Sequence, residues 1–251
     1  MSQTAFRHFD FELPGWAEFA APPRLRIPYE AEVLADQPVV YLRLADSSGA
    51  VATDVSGNGH HGSYVGTVAY AQPGALTAGH GDLAVKLPGS GGHLTVGSGV
   101  IPRSDAARTI EAWFKIDGTP GSDTFFNCGA GGSGTQLTLD VGATSVAIDV
   151  GGHRRGTTGL SLSGWHHLAV VFPDGAGSSD DWLVHLDAEQ LALTTLSGSV
   201  QAIDTADSTV HIGRHLTTGA SWSGWLDEIA IYDAAVPLRR LASHVQLATL
   251  G

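Results

Sequence analysis

Short apolar runs alternate with polar, glycine-rich links through most of this chain. Many of the runs place apolar and polar residues in turn, which is the pattern of a β-strand with one buried face. The runs predicted as strands are 82–87, 93–96, 109–116, 135–141, 145–150, 165–172, 182–187, 191–196, 208–213 and 224–232. Because no helical periodicity separates them, they predict an all-β fold, a two-sheet antiparallel jelly-roll sandwich.

The two ends of the chain depart from this pattern. Residues 234–247 place Leu238, Leu241, Val245 and Leu247 at helical spacing after Pro237, which predicts one short C-terminal helix. The segment 1–28 is rich in aromatic residues and ends in the extended stretch APPRLRIP. Its aromatic residues are Phe6, Phe9, Phe11, Trp16 and Phe19.

Disordered tails are usually poor in aromatic residues, so the segment 1–28 is interpreted as an extended N-terminal arm that docks on a partner. The alternative is that it packs back on its own domain. The predicted organisation is therefore an arm with a Pro-rich spacer at 1–28, followed by a jelly-roll domain at 29–251.

Composition narrows the classes of function. The chain carries 25 acidic and 13 Lys or Arg side chains, a formal net charge of −12, and its only lysines are Lys86 and Lys115. Such a surface repels nucleic acid and anionic lipid. Cys128 is the only cysteine, which excludes an intrachain disulfide and a thiolate zinc site.

The start of the chain and its hydropathy bear on location. The first twenty residues lack the basic region and apolar run of a signal peptide, and no stretch reaches the roughly 20 apolar residues of a membrane span. We therefore expect a protein without a membrane insertion that is not exported by the usual route.

Several motifs in register resemble the laminin-G-like, concanavalin A-like jelly-roll family over roughly residues 38–247. They are VVYLRLAD, DVSGNGHHGSYVG, RTIEAWFKID, GWHHLAVVF, WLVHLDAEQLAL, VHIGRH and GWLDEIAIYDAAVPLRRLASH. The family's usual Asp-Gly hairpin turn is altered here, because Asp187 is followed by Ala188. The resemblance implies two antiparallel sheets with one concave face; members bind glycans or proteins, or cut polysaccharides.

A narrower resemblance concerns the segment YEAEVLADQPVVYLRL at 29–44, which is similar to the lead-in of many bacteriophage tail proteins that carry this jelly roll. It implies a virion protein, most simply a minor tail or tail-tip protein. Its partners would be other virion proteins, reached through the arm, and a host-surface glycan. We expect it to act as a homo-oligomer in the particle.

The glycine-rich turn DVSGNGHHGS at 54–63 is the candidate metal site. Calcium prefers carboxylate, amide and backbone oxygens, and Asp54, Asn58, Gly57, Gly59 and His60 could supply them. In relatives such a site is completed by an acidic residue near the last strand, which the resemblance implies to be Asp227. The alternative is a structural turn, in which Asp54 accepts backbone N–H bonds and Asn58 is left-handed. A phosphate cradle is disfavoured because no P-loop ending follows.

The sequence gives little support for a zinc site or a catalytic site. Neighbouring residues of a regular strand point to opposite faces, so His166 and His167 should not share a site, and the same reasoning separates Asp227 from Glu228. No glutamate begins the Glu-x-Asp-x-x-Glu pattern of related glucanases. We therefore predict no catalytic residue and a protein that is not an enzyme.

Sugar binding by stacking requires exposed aromatic side chains. Trp113 and Trp165 lie within apolar strand patterns and are predicted to be core. Trp222, Trp225 and Tyr64, near turns, are the candidate glycan contacts. The sequence thus favours a non-enzymatic virion protein with a glycan-binding jelly roll. The alternatives are a capsid decoration protein of the same fold and a polysaccharide-degrading enzyme.

Overall fold

The computed structural model describes residues 28–76, 82–118 and 124–249, which form two antiparallel sheets packed face to face. The predicted two-sheet sandwich is confirmed. Along the chain the strands are β1 (Val40–Leu42), β2 (Val51–Ala52), β3 (Gly62–Val65), β4 (Ala69–Pro73), β5 (Leu83–Pro88), β6 (His93–Val96), β7 (Arg108–Ile116), β8 (Thr124–Gly129), β9 (Gln136–Val141), β10 (Ser145–Val150), β11 (His153–Thr158), β12 (His166–Phe172), β13 (Leu183–Leu186), β14 (Glu189–Gln190), β15 (Thr194–Ser197), β16 (Val210–Ile212) and β17 (Ser223–Tyr232).

The first sheet has the spatial order β14-β13-β12-β7-β17-β5-β4, and β1 also pairs with β17. The second sheet has the order β15-β11-β10-β9-β8-β16-β6-β3-β2. Strands distant in sequence therefore become neighbours: β7 lies between β12 and β17, and β17 lies between β7 and β5.

The main core lies between the sheets, and β7 shows how the sequence divides its two faces. Ile110, Ala112 and Phe114 belong to the core cluster between the sheets. Trp113, which alternates with them, belongs to a second cluster with residues of both helices. Because successive side chains of a strand point to opposite faces, the first sheet has an outer face with its own packing.

Two helices rest on this outer face, α1 (Tyr29–Ala35) and α2 (Leu238–Thr249). The predicted C-terminal helix is confirmed as α2, whereas α1 was not predicted. Seven residues are too few for a clear 3.6-residue period, and α1 is held by tertiary packing of Tyr29 and Val33 rather than by its own pattern. In the part of the chain that is described, neither helix is long and apolar enough to cross a membrane.

The predicted strands are recovered with shifted ends, but the apolar runs missed seven observed strands: β1 to β4, β8, β11 and β14. Most of β8 is buried and lacks polar alternation, while β11 (HRRGTT) is largely polar. Neither pattern has the period of two on which the prediction relied. Predicted strand 191–196 is observed four residues long, as β15.

The altered hairpin turn after β13 keeps a tight geometry without glycine. Asp187 and Ala188 both have a positive φ, 51° and 64°, and they connect β13 directly to β14. Two left-handed residues are what a two-residue hairpin loop of type I′ requires. Ala188 therefore occupies a conformation that glycine would adopt at lower cost.

Candidate ligand-binding site

Asp54 holds the glycine-rich turn together with both of its carboxylate oxygens. Oδ1 accepts the backbone N–H groups of Tyr41 (3.0 Å) and Ser56 (2.9 Å), and Oδ2 accepts that of His60 (2.8 Å). Although burial opposes ionisation, these backbone hydrogen bonds keep the pKa of Asp54 below its ordinary value. The geometry matches the structural-turn alternative for this carboxylate.

The glycines and Asn58 complete the turn in a different way from that expected. The left-handed positions are Gly57 (φ 90°) and Gly59 (φ 77°), not Asn58. Asn58 instead donates from Nδ2 to the backbone carbonyls of Pro38 and Val39, both at 3.1 Å. The side chain thereby ties the turn to the residues before β1.

Asp227 belongs to a different group, the carboxylate cluster formed with Asp82 and Glu228. The ligand atoms of these three side chains lie within 4.8 Å of one another, and Asp54 is not a member. The metal-ligand set predicted from the sequence is therefore not brought together as one group. Of its two acidic residues, Asp54 lies in the glycine-rich turn and Asp227 lies in the carboxylate cluster.

A β-bulge in β17 explains why Asp227 and Glu228 meet. The pairing of β17 with β7 shifts between Asp227 and Ala230, and Glu228 has a φ of 49°. An extra residue in one strand breaks the alternation of faces at that point. The expectation that these neighbours point apart, which assumed a regular strand, was wrong.

The environments of the two β17 carboxylates differ. Glu228 accepts hydrogen bonds from Tyr41 Oη and from Arg43 Nε (3.0 Å), and burial raises its pKa to about 7 despite Arg43. Asp227 Oδ2 accepts the backbone N–H of Ala75 (2.8 Å). Burial, then the charges of Glu228 and Asp82, raise the pKa of Asp227 well above its ordinary value.

Two oxygens of the carboxylate cluster have no hydrogen-bond donor among the described residues. They are Asp82 Oδ1, which lies 3.6 Å from the Arg43 guanidinium, and Asp227 Oδ1. Two buried carboxyl groups can share one proton, in which case Asp227 donates to Asp82. The same pair of oxygens also fits the oxygen preference of a calcium ion.

Buried ionisable groups also fill the centre of the outer face, beneath α2. Glu111 accepts from Tyr232 Oη and lies 2.9 Å from His167 Nε2 and 3.1 Å from His244 Nδ1. We call Glu111, His167, Tyr232 and His244 the helix-covered network. His166 contacts Asp187 instead (2.7 Å), so the two adjacent histidines do point to different partners.

Two of the three predicted glycan contacts are buried. Trp222 has no exposed surface; its Nε1 donates to the backbone carbonyl of Val141 (2.9 Å) and its ring packs edge-on against Phe125. Tyr64 is 7% exposed, and its hydroxyl donates to Asp46 (2.9 Å). Neither ring is available for stacking in this structure, which corrects the prediction for both.

Trp225 is half-buried and lies in a row of alternating lysine and tryptophan side chains on the outer face. It pairs in register with Lys86 of β5 on one side and Lys115 of β7 on the other. The two Nζ atoms lie 4.3 and 4.2 Å from the centre of its ring. Lys115 Nζ also lies 5.5 Å from the ring of Trp165, which precedes β12.

This lysine–tryptophan row, Lys86, Trp225, Lys115 and Trp165, was found only in part from the sequence. Trp165 was predicted to be core but is half-buried, with its ring against the edge of the second cluster. The lysines carried one usable signal, since they are the only two in the chain. Their convergence on Trp225 depends on strand order, which no local pattern encodes.

The aromatic residues predicted to dock a partner, Phe6, Phe9, Phe11, Trp16 and Phe19, lie outside the described residues.

The fold resembles several solved binding domains. A botulinum neurotoxin type C structure, from work on cell entry that depends on interaction with two ganglioside molecules, superposes with a TM-score of 0.62 at 14% identity, over 88% of this chain and 53% of that chain. The receptor-binding domain of botulinum neurotoxin D gives 0.58 at 12% identity, over 85% and 53%. The chain thus spans about half the length of these toxin chains.

A shorter structure is matched almost completely. It is domain 4 of AbnA, a GH43 extracellular arabinanase from Geobacillus stearothermophilus, solved in complex with arabinotriose. The TM-score is 0.59 at 18% identity, over 84% of this chain and 98% of that one. Comparison with curated protein sequences returned no match.

The sequence itself carries the family assignment. Residues 88–240, more than half of the chain, match the Laminin_G_3 family. They include β7, β12 and all of β17, and with them Lys115, Trp165 and Trp225 of the lysine–tryptophan row, whereas Lys86 lies just before the matched residues. The chain therefore belongs to the concanavalin A-like lectin/glucanases superfamily.

Proposed function

We propose that this protein is a non-enzymatic glycan-binding component of a bacteriophage particle, a minor tail or tail-tip protein. The observation that carries the glycan part is the pair of half-buried tryptophans, Trp225 and Trp165, beside Lys115 on the outer face. A partly exposed indole ring presents an apolar face with a polar edge, which suits a sugar ring. The similarity to domains of a neurotoxin and an arabinanase supports a binding fold.

The carboxylates support a binding role over catalysis. Glycoside hydrolysis needs a pair of carboxyl groups that flank an accessible sugar. Glu111, Asp227 and Glu228 are each 1% exposed or less, and their contacts are with other protein groups. A polysaccharide-degrading enzyme of this fold remains the competing hypothesis.

The particle assignment rests on the resemblance of residues 29–44 to the lead-in of bacteriophage tail proteins. In this proposal the arm 1–28 docks on other virion proteins, and homo-oligomeric copies present the jelly roll to the host surface. Many weak contacts acting together would supply the attachment strength that one site lacks. A capsid decoration protein is the alternative within the same class.

The location is tested by imaging particles and by removing the arm. We expect density for the jelly roll at the tail, and loss of incorporation when residues 1–28 are deleted while the sandwich stays folded by circular dichroism. Density on the capsid would favour the decoration protein. Absence from particles, or normal incorporation of the deletion, would reject the docking proposal.

The binding role is tested on a glycan array with the intact chain. We expect retention on at least one saccharide class and no release of reducing sugar from the bound glycans. A Trp225→Ala variant should lose this retention, whereas Tyr70→Phe, which removes only a hydroxyl, should keep it. Release of reducing sugar would instead favour the enzyme.

The proposal keeps a calcium ion but assigns it fewer ligands than the sequence predicted. A bound ion would be held by Asp82 and Asp227, whose buried Oδ1 atoms accept no hydrogen bond among the described residues, rather than by the ligand set centred on Asp54. The ion would neutralise negative charge at the bulge of β17. The two oxygens support this position, because Asp227 Oδ1 has no donor and Asp82 Oδ1 has only the Arg43 guanidinium, 3.6 Å away.

A further inference from the structure

The lysine–tryptophan row concentrates all lysines of an acidic chain in one place. Lys86 and Lys115 are the only two lysines among 251 residues, whereas the chain as a whole has a formal charge of −12. Their Nζ atoms converge on one ring, 4.3 and 4.2 Å from the centre of Trp225. The row is thus a local positive patch on a molecule of the opposite sign.

The two lysines differ in how they are neutralised. Lys86 Nζ forms an ion pair with Asp117 at 2.7 Å. Lys115 forms no ion pair with a carboxylate of the described residues, and its charge faces the rings of Trp165 and Trp225. Lys115 is therefore the cation of the row whose charge is left for a ligand.

The surrounding negative charge does not cancel this patch at physiological salt. The Debye length is about 8 Å under those conditions, so a ligand group senses mainly the charges next to it. In the row itself these are Lys115 and Lys86 with its partner Asp117, and the buried Asp227 lies two positions from Trp225 on β17. The net charge of the chain slows the approach of an anion without removing the local attraction.

The contacts between the lysines and the rings are of a kind that a ligand can replace. An exposed cation–π contact is weak, and a lysine ammonium on its flexible four-carbon stem reorients readily toward an acceptor. A ligand that brings an anionic oxygen can draw the ammonium into a stronger charge-assisted bond. The apolar stem and the indole faces then remain for the sugar ring.

We infer that the lysine–tryptophan row binds an anionic saccharide, one that carries carboxylate or sulfate groups, with Trp225 and Trp165 contacting sugar rings and Lys115 pairing with the acidic group. This deepens the glycan-binding function proposed above and rests on it. A neutral glycan would use the rings alone and would leave the charge of Lys115 unmatched.

The test uses the full chain and saccharides in matched acidic and neutral pairs: galacturonate oligomers with their methyl esters, sialyllactose with lactose, and sulfated with desulfated chondroitin. Affinity is measured by calorimetry at 50 and 300 mM salt. We expect at least one acidic member to bind about tenfold more tightly than its neutral partner, as one charge-assisted contact would give. The difference should shrink at the higher salt.

Three variants locate the site. Lys115→Gln should remove most of the preference for the acidic member, and Trp225→Ala should weaken both members of the pair. Arg103→Gln is the matched control: it removes one positive charge elsewhere on the surface, from a side chain that is 73% exposed. It should leave the affinity unchanged, and circular dichroism confirms that each variant is folded.

The outcomes separate the inference from the function it rests on. Equal affinity within every pair, or an acidic preference that survives Lys115→Gln, overturns the anionic-ligand inference while glycan binding stands. Binding that survives Trp225→Ala removes the row as the site. Retention of no saccharide, acidic or neutral, overturns the glycan-binding function and the inference together.

Discussion

The outer face of the first sheet has two parts, and charged residues have different surroundings in each. On the outer face of β7, Glu111 lies beneath α2 and Lys115 lies four residues further along the same strand. Glu111 is buried and bonded to His167, His244 and Tyr232. Lys115 is partly exposed and contacts tryptophan rings.

The difference lies in what covers each part. Under the helix, an unpaired charge would be costly, and His167, Tyr232 and His244 are each bonded to Glu111. Beyond the helix, water solvates the ammonium, and a charge can stay unmatched at little cost. Helical cover thus divides the face into a part whose ionisable groups bond to one another and a part where the charge of Lys115 has no ion partner among the described residues.

The largest difference in stability is expected between the variants Glu111→Ala and Lys115→Gln. Removing Glu111 leaves two histidines and the Tyr232 hydroxyl without their acceptor, and we expect a loss of about 3–5 kcal/mol in the free energy of unfolding. Lys115→Gln should change it by no more than about 0.5 kcal/mol. Urea unfolding followed by circular dichroism measures both; similar losses for the two variants would contradict the division of the face.

Tryptophans provide a second matched pair. Trp113 is 4% exposed, packs with both helices and donates from Nε1 to Tyr29 Oη (3.0 Å), so Trp113→Ala should cost about 3–5 kcal/mol. Trp225→Ala should cost about 1 kcal/mol, because its half-buried ring leaves a smaller cavity. The same unfolding measurement applies. A larger loss for Trp225 than for Trp113 would mean that the row is structural.

The sequence predicted what depends on a local period and missed what depends on pairing. The pattern at 109–116 predicted β7, and the helical spacing after Pro237 predicted α2. The bulge that joins Asp227 to Glu228 shows in the sequence only as a slip of the alternation, since the core residues Leu226 and Ile229 are three positions apart, and the prediction assumed a regular strand. It arises from the pairing with β7, which is a long-range property.

Aromatic residues show the same limit within the candidate site. Trp222 and Trp225 are three residues apart near one turn, so a regular strand would turn them to opposite faces, but a prediction that treats both as turn residues does not show which ring is buried. Trp222 finds a backbone acceptor at Val141 in the opposite sheet, whereas Trp225 faces outward between two lysines. The packing of the two sheets therefore determines which ring is buried.

The pH dependence of stability gives a smaller effect from the covered part. Burial opposes protonation of His244, but the hydrogen bond and charge of Glu111, with the charge of Asp36, outweigh it and raise the histidine pKa. A raised folded-state pKa stabilises the fold fully below the ordinary value of 6.5, and the contribution is lost as the pH rises through the folded value.

We therefore expect the wild type to lose stability above pH 6.5 by up to about 1.4 kcal/mol per pH unit, and His244→Gln to lose less over the same range. Urea unfolding at half-unit steps from pH 5 to pH 9 measures the two slopes. Identical slopes in the two proteins would show that His244 does not gain a proton on folding. His215→Gln, which alters a histidine in an exposed turn, serves as the control.

The smallest effect is expected at the boundary between the two parts, where Asp227 lies two positions from Trp225 on β17. If Asp227 and Asp82 share a proton, Asp227→Asn imitates the protonated carboxyl and changes stability by no more than about 1 kcal/mol at pH 5. It should then gain on the wild type as the pH rises, because the wild type must ionise a group whose pKa is raised by burial.

A calcium ion at the cluster would give a different result for Asp227→Asn. With an ion between Asp82 and Asp227, calcium should raise the melting temperature of the wild type, EGTA should lower it, and Asp227→Asn should abolish both responses. Asp54→Asn is the control, because its carboxylate binds backbone N–H groups rather than belonging to the cluster. Melting curves at pH 5 and pH 8, with calcium or EGTA, decide between a proton and a cation. If calcium shifts the melting temperature of Asp227→Asn as much as that of the wild type, the ion does not bind at the carboxylate cluster. A proton shared by Asp82 and Asp227 would then explain why the two buried carboxyl groups can lie side by side.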